Sequence, residues 1–183
     1  MEHREIPLNE AYRLINTGPV VIVSSVSKDK KYNTAPIAWA SPARKEPTQV
    51  LICVGKRHKT FFNISETKVF SAGIPNINQV EIIKAAGSVS GNDTDKFLEL
   101  NIKTVPSQKI DCIVPAGMIG NIECKVVDVF ETDLVAMFLG EAVYASADPA
   151  AYNGERILSE LPAGKTVHHL GNKLFMTLGG EIV

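Results

Sequence analysis

From residue 110 to residue 147 the chain is a near-continuous succession of strand-length apolar runs. IDCIVP (110–115), GMIGNIECKVVDVFET (117–132) and DLVAMFLGEAVYASA (133–147) follow one another, with turns at Pro115-Ala116 and at Glu131-Thr132-Asp133. Runs of this kind joined by short connections read as consecutive antiparallel strands. Upstream, PVVIVSSV (19–26) reads as a short buried strand, KDKK (28–31) as a polar turn and YNTAPIAWA (32–40) as its antiparallel partner. Pro36 cannot donate to a ladder, so that strand must bulge or lie at an edge. QVLICVG (49–55) and KVFSAGI (68–74) add two more strands.

Helical signals are few and short. Leu8, Ala11, Tyr12 and Ile15 stand at helical spacing and are stopped by Gly18-Pro19. A second helix is expected from about Thr60 to Thr67. A third carries Val80, Ile83 and Lys84 and ends at Gly87. A brief fourth runs through Phe97 and Leu98, opened by the polar residues Asn92 and Asp93. Many strands with so little helix argue for a mainly β fold, an antiparallel barrel closed to hide its edges, and against a doubly wound sheet. No repeat, low-complexity segment or composition break divides the chain, so residues 1–183 read as a single domain.

The charge balance is 19 basic against 20 acidic side chains, which speaks against a nucleic-acid or anionic-membrane surface as partner. LVAMFLGEAV, the richest apolar stretch late in the chain, is too short for a membrane-spanning helix. Cys53, Cys112 and Cys124 are odd in number and form no C-x-x-C pair, so a reducing, cytoplasmic setting is expected.

One short stretch departs from this even charge. GKRHKTFFNISE (55–66) follows a strand and leads into a helix, and from Pro47 to Ser65 the chain carries Lys56, Arg57 and Lys59 but no carboxylate. The N–H groups that open a helix lack partners, and the helix dipole adds a partial positive charge there. A phosphate placed at that end would meet those donors, the Thr60 hydroxyl and the side chains of Arg57 or Lys59. The same run read alone also describes a solvated basic surface. No P-loop signature is present, and Gly117-Met118-Ile119-Gly120 has the wrong spacing and leads into a strand, so no dinucleotide fingerprint is indicated.

Other constellations carry less. His168 and His169 are neighbours and point to opposite sides of an extended chain, so they cannot simply share a metal, and no metal site is expected. Ser24, Ser25 and Ser90 have no base partner at a recognisable spacing, which gives nucleophilic catalysis no support. Trp39 in an alternating strand reads equally as core. Asp93, Asp95 and Lys96 read by default as a helix cap with a solvated face.

The motifs in order carry a resemblance. NTAPIAWASP (33–42), K-x-T-x-x-N-I (Lys59, Thr60, Asn63, Ile64), F-x-x-x-I-P (Phe70 to Pro75), S-G-x-D-x-D-K-F (Ser90 to Phe97), E-C-K-V (Glu123 to Val126), L-G-E-A-V (139–143) and H-L-G-N-K-L-F (169–175) together resemble the flavin reductase-like, FMN-binding split-barrel family, and its flavoredoxin-like branch in particular. The resemblance implies a homodimer of split barrels with FMN near the subunit interface. It further implies that Asn33, Thr34, Ala35 and Pro36 line the isoalloxazine and ribityl groups, with Trp39 and Ser41 beside them. Arg57, Lys59, Thr60 and Asn63 would hold the phosphate, while Lys96, His169 and Phe175 would approach the flavin. NADH or NADPH would be the transient donor, and a flavin, ferric iron or a redox protein the acceptor. No residue is singled out as catalytic, because the cofactor supplies the chemistry. A pure FMN electron carrier and a non-redox ligand-binding barrel are the alternatives. A pyridoxamine-phosphate oxidase-like reading shares the barrel but would want a second phosphate cluster, which is not seen. Two positions depart from the family pattern: Gly73 stands where many relatives have asparagine, and Asn172 where a second glycine is usual.

Overall fold

Val21–Val26 (β1) is buried along its whole length, although its sequence, VIVSSV, shows no alternation of apolar and polar residues. The reason lies in two cores, one on each face of the strand. Val21 and Val23 belong to a cluster with Ile52, Val54, Ile64, Phe70 and Phe138, whereas Val20 and Ile22 pack with Ile83 and Val167. A strand covered on both sides reads as a continuous apolar run. The computed structural model describes residues 7–16 and 18–178.

The main sheet has seven strands. Besides β1 they are Tyr32–Ile37 (β2), Ala40–Arg44 (β3), Gln49–Gly55 (β4), Val69–Ile74 (β5) and two long strands, Gly120–Glu131 and Val135–Ala147. Between β5 and the long pair lie two short strands, Thr104–Pro106 (β6) and Ile113–Pro115 (β7), which pair only with each other. The long strands are therefore β8 and β9, and the order across the sheet is β2-β1-β5-β8-β9-β4-β3. All of these neighbours pair antiparallel, as expected.

This order closes the sheet. β2 and β3 are its two edges, yet only Ala38 and Trp39 separate them in the chain. The edges must therefore meet, and the Cys53 N–H donates to the Trp39 carbonyl at 2.9 Å near the join. The stretch 32–40 was expected to be one strand; it is two, because the chain bends at residues 38–39 and crosses from one edge to the other. Pro36 sits in the edge strand β2 opposite Ile22, where its missing donor costs no ladder bond. Inside the barrel Phe70 and Phe138 are fully buried, each contributing about 2–3 kcal/mol of apolar burial. Gly140 on β9 makes room for them: a Cβ there would lie 2.5 Å from two ring atoms of Phe70.

Among the described residues there are three α-helices, Lys59–Thr67 (α1), Val80–Ser88 (α2) and Lys96–Glu99 (α3), and the first expected helix is the 3-10 helix Leu8–Ile15. The cap of α3 is Asp95, whose Oδ1 accepts from the amides of Phe97 and Leu98 at 3.1 and 3.2 Å; this corrects the expectation of Asn92 and Asp93. A second correction concerns IDCIVP, which does not pair with the following strand but forms β7 beside β6. The tail ends in a hairpin of His168–Gly171 (β10) and Leu174–Met176 (β11). Its turn places Asn172 at φ 53°, a left-handed conformation that asparagine tolerates, so the absent second glycine is accommodated. Among the described residues no helix is long and apolar enough to cross a membrane.

Candidate functional site

A cleft of about 260 Å³ opens where β2, the start of α1, the segment after α2 and the start of α3 converge. β2 contributes Asn33, Ala35 and Pro36. The start of α1 contributes His58, Lys59 and Thr60, residues 86–91 form a wall, and Lys96 closes one side. The lining includes two lysines and a histidine but no carboxylate.

Asn33 and Ala35 face the cleft, whereas Thr34 between them is fully buried and accepts a long, 3.4 Å bond from the Ser24 hydroxyl across the β1–β2 ladder. The Asn33 amide nitrogen donates to the Thr60 hydroxyl at 3.0 Å, tying β2 to the first turn of α1. Asn33 is 3 % exposed, yet its Oδ1 has no partner. Because the Thr60 hydroxyl can either donate or accept, turning the amide over would leave an N–H unpaired in its place. In both orientations one buried polar atom is left without a partner. Gly91 packs directly against this amide: a Cβ there would overlap the Asn33 side chain and stand 3.2 Å from the Lys59 Cβ.

The first turn of α1 contains no acidic residue, and no side chain caps its N-terminus. The Phe61 N–H donates to the His58 carbonyl at 3.0 Å, which leaves the amides of Lys59 and Thr60 available to an anion. Lys96 faces the same space from α3. It is 4 % exposed, and its ammonium donates to the Ala86 carbonyl at the end of α2 at 2.6 Å. An ammonium carries three donors, so Lys96 keeps capacity for a ligand. Burial pulls its pKa down to about 8. The pKa of His58 is also lowered, first by burial and then by the charges of Arg57 and Lys96.

Of the residues suggested by resemblance, the cleft thus brings together Asn33, Ala35, Pro36, Lys59, Thr60 and Lys96. Arg57 and Asn63 are close in sequence but placed otherwise. The Arg57 side chain is exposed outside the lining, and its carbonyl accepts from the Asn92 amide at 3.1 Å. Asn63 is on the buried face of α1, donating to the Ser25 hydroxyl of β1 at 3.2 Å. Ser41 lies on the opposite edge of the sheet, in β3, with its hydroxyl turned to the Pro42 carbonyl.

Trp39, His169 and Phe175 gather in a separate group around Asn16. The Trp39 indole donates to the Asn16 Oδ1 at 2.8 Å, and the Asn16 amide meets His169 Nδ1 at 3.2 Å. His169 Nε2 lies 3.0 Å from the Asn172 carbonyl, an acceptor, so Nε2 carries the proton and Nδ1 accepts. The His169 and Phe175 rings are 5.4 Å apart.

Sequence reasoning missed two features of the cleft. His58 was passed over between stronger cations, and residues 86–91 carried no signal except the glycine of the S-G motif. Among the described residues no cluster of three or more histidine, cysteine, aspartate or glutamate side chains could hold a metal. Cys112 and Cys124 are pushed up to about 12 by burial and stay protonated thiols at neutral pH. A second cleft, between β6–β7 and β8–β9, includes Glu123, whose buried carboxylate already accepts three backbone N–H bonds from residues 108–110 at 2.7 to 3.2 Å.

Comparison with known proteins places this geometry. The protein YddH of Escherichia coli (strain K12), itself described as uncharacterized, is 31% identical over 180 residues, covering 97% of this chain and 95% of its own. Flavoredoxin from Methanosarcina acetivorans superposes with a TM-score of 0.85 at 22% identity, over 100% of this chain and 95% of that one. An FMN-binding domain of a flavin reductases-like enzyme from Shewanella baltica gives 0.81 at 23% identity, over 97% and 95%. At such identities these two structures establish the split-barrel fold. Residues 13–159 match the flavin reductase like domain, most of the chain, and the protein belongs to that family.

Proposed function

We propose that the protein is an FMN-binding oxidoreductase of the flavin reductase or flavoredoxin type. NADH or NADPH is the proposed donor, and a flavin, ferric iron or a redox protein the proposed acceptor. The observation that carries this reading is the cleft itself, a carboxylate-free space with an uncapped helix N-terminus, two lysines and an unpaired, buried atom of the Asn33 amide.

These groups fit a ligand with a dianionic end and a polar planar body. Lys59, the Thr60 hydroxyl and the free amides of α1 would hold the phosphate. The Asn33 amide and Lys96 would meet polar atoms further along the ligand. Ala35 and Pro36 supply an apolar strip beside them. Bound FMN would supply hydride acceptance and onward electron transfer; the chain would contribute position, partial exclusion of water and nearby positive charge. For this reason no side chain is expected to be indispensable for turnover.

A second copy of the chain is the proposed partner. What supports it is the apolar exposure of the tail hairpin, where Leu170, Leu174 and Met176 are 41%, 64% and 43% exposed. Light scattering on the purified protein tests that assignment; a monomeric mass at all concentrations contradicts it.

The test of the reaction is anaerobic rapid mixing of the FMN-loaded protein with NADH and, separately, NADPH. Bleaching of the flavin band by either nucleotide is the expected outcome. An FMN-loaded protein that neither nucleotide bleaches contradicts the reductase reading and identifies a carrier reduced by another protein.

A further inference from the structure

We propose that His58 is a proton-linked ligand of the anionic end of the bound cofactor. The inference deepens the functional reading above and rests on it. His58 occupies the N-cap position of α1, with extended backbone at φ −87° and ψ 145°, and its side chain caps no amide of the helix. An N-cap residue ordinarily uses its side chain to satisfy those amides. Here the imidazole instead lies over Gly55, where a Cβ would sit 2.8 Å from its Cδ2 and 3.1 Å from its Nε2. The glycine that ends β4 thus seats the ring, and the seated ring joins the cleft beside Lys59, Thr60 and Lys96.

The charges around this ring all act in one direction. Arg57 adjoins it, Lys59 follows it in the chain, and Lys96 faces it from α3. The positive end of the α1 dipole adds to them. β4 contributes only the apolar Val54 to the lining, with Gly55 beneath the ring, residues 86–91 contribute hydroxyl and apolar groups, and no carboxylate lines the cleft. With the cleft lacking an anion, protonating His58 places one more cation among like charges, and the neutral form is favoured. A phosphate bound at the same helix end reverses the balance, because an imidazolium can then donate a charge-assisted hydrogen bond.

Linkage fixes the sign. If the anion binds the protonated ring more tightly, binding must raise the pKa of His58. The extra affinity is then fully present at pH below the pKa of the unliganded protein. It is lost as pH rises through the pKa of the complex. A rise of about one unit corresponds to about a tenfold gain in affinity between neutral and protonated ring.

The experiment is an FMN titration by flavin fluorescence from about pH 5.5 to about pH 7.5, where Lys96 stays mostly charged in both proteins, on the wild type and on His58→Gln. The FMN phosphate itself gains a proton near pH 6, but that contribution is common to both proteins. The change of affinity with pH is expected to differ between them by about tenfold over this range, the wild type gaining relatively more on acidification. In parallel, the imidazole proton resonance absent from His58→Gln is titrated in wild-type protein with and without FMN, and its pKa should rise on binding. If FMN binds but that pKa is unmoved, or the two proteins show the same pH profile, the His58 proposal fails and the functional reading stands. If FMN binds at no pH, both fail together.

Discussion

The side-chain amide of Asn33 on β2 and the hydroxyl of Thr60 on α1 are joined by a 3.0 Å hydrogen bond between two residues that are 3 % and 1 % exposed. This bond ties one wall of the cleft to the proposed phosphate end. Asn33→Ala removes both the bond and the unpaired amide atom that lines the proposed site, so it should lower stability by about 1–2 kcal/mol and weaken FMN binding at least about tenfold. Thr34→Val, one residue along but on the other face of β2, should leave FMN affinity within about twofold of wild type. Thermal melts of the apoprotein and FMN titrations on both variants check this pair; equal loss of affinity in the two would contradict the facing of the strand.

Lys59 and Arg57 separate a lining cation from a neighbouring one. Lys59→Ala should weaken FMN binding by about tenfold, the value of one charge-assisted hydrogen bond, with little change in melting temperature. Arg57→Ala should cost less, since its side chain stands outside the lining. Titrations at matched ionic strength decide the order, and a larger loss at Arg57 would move the phosphate outward from the cleft.

Lys96 should produce opposite pH trends in stability and in binding. Burial lowers its pKa to about 8 in the folded protein, against an ordinary value near 10.5 once unfolded. Between these limits the unfolded chain binds more protons, so the apoprotein should gain stability as pH rises through that window, by up to about 3 kcal/mol. FMN affinity should fall over the same range as the ammonium is lost. Lys96→Met should flatten the difference in both profiles, measured by urea melts and titrations from about pH 7 to about pH 10.

Glu123 tests the second cleft. Its carboxylate is 1 % exposed and is the acceptor for the amides of Gln108, Lys109 and Ile110. Glu123→Ala leaves three donors unpaired and should destabilise the fold by about 3–5 kcal/mol. Loaded FMN in whatever fraction folds should be held with wild-type affinity. Reduced FMN affinity in folded Glu123→Ala would show that the two clefts are coupled.

The barrel was legible in the sequence because period-two patterning and strand-length runs are local signals. The boundaries at β1, β4, β5, β8 and β9 fall close to those runs. The break inside residues 32–44 was not legible, since apolar character continues through Ala38-Trp39 without a glycine or asparagine to mark the bend. Only the closure of the sheet, a property of all seven strands, demands a crossing there. β6 escaped notice because a three-residue strand ending in Pro106 has no pattern to read. In the site, Asn33, Lys59, Thr60 and Lys96 were indicated by motif, yet their convergence depends on where α3 and the segment after α2 settle. His58 acts through that convergence, so it does not stand out in the linear chain.

The most direct measurement is the absorbance spectrum of the protein after incubation with excess FMN and gel filtration, repeated with Asn33→Ala and Lys59→Ala. The expected result is a wild-type protein that keeps the two flavin bands at near one equivalent per chain, with both variants retaining clearly less. A wild-type protein that emerges colourless, or variants that retain as much flavin as wild type, would contradict the assignment of this cleft to FMN.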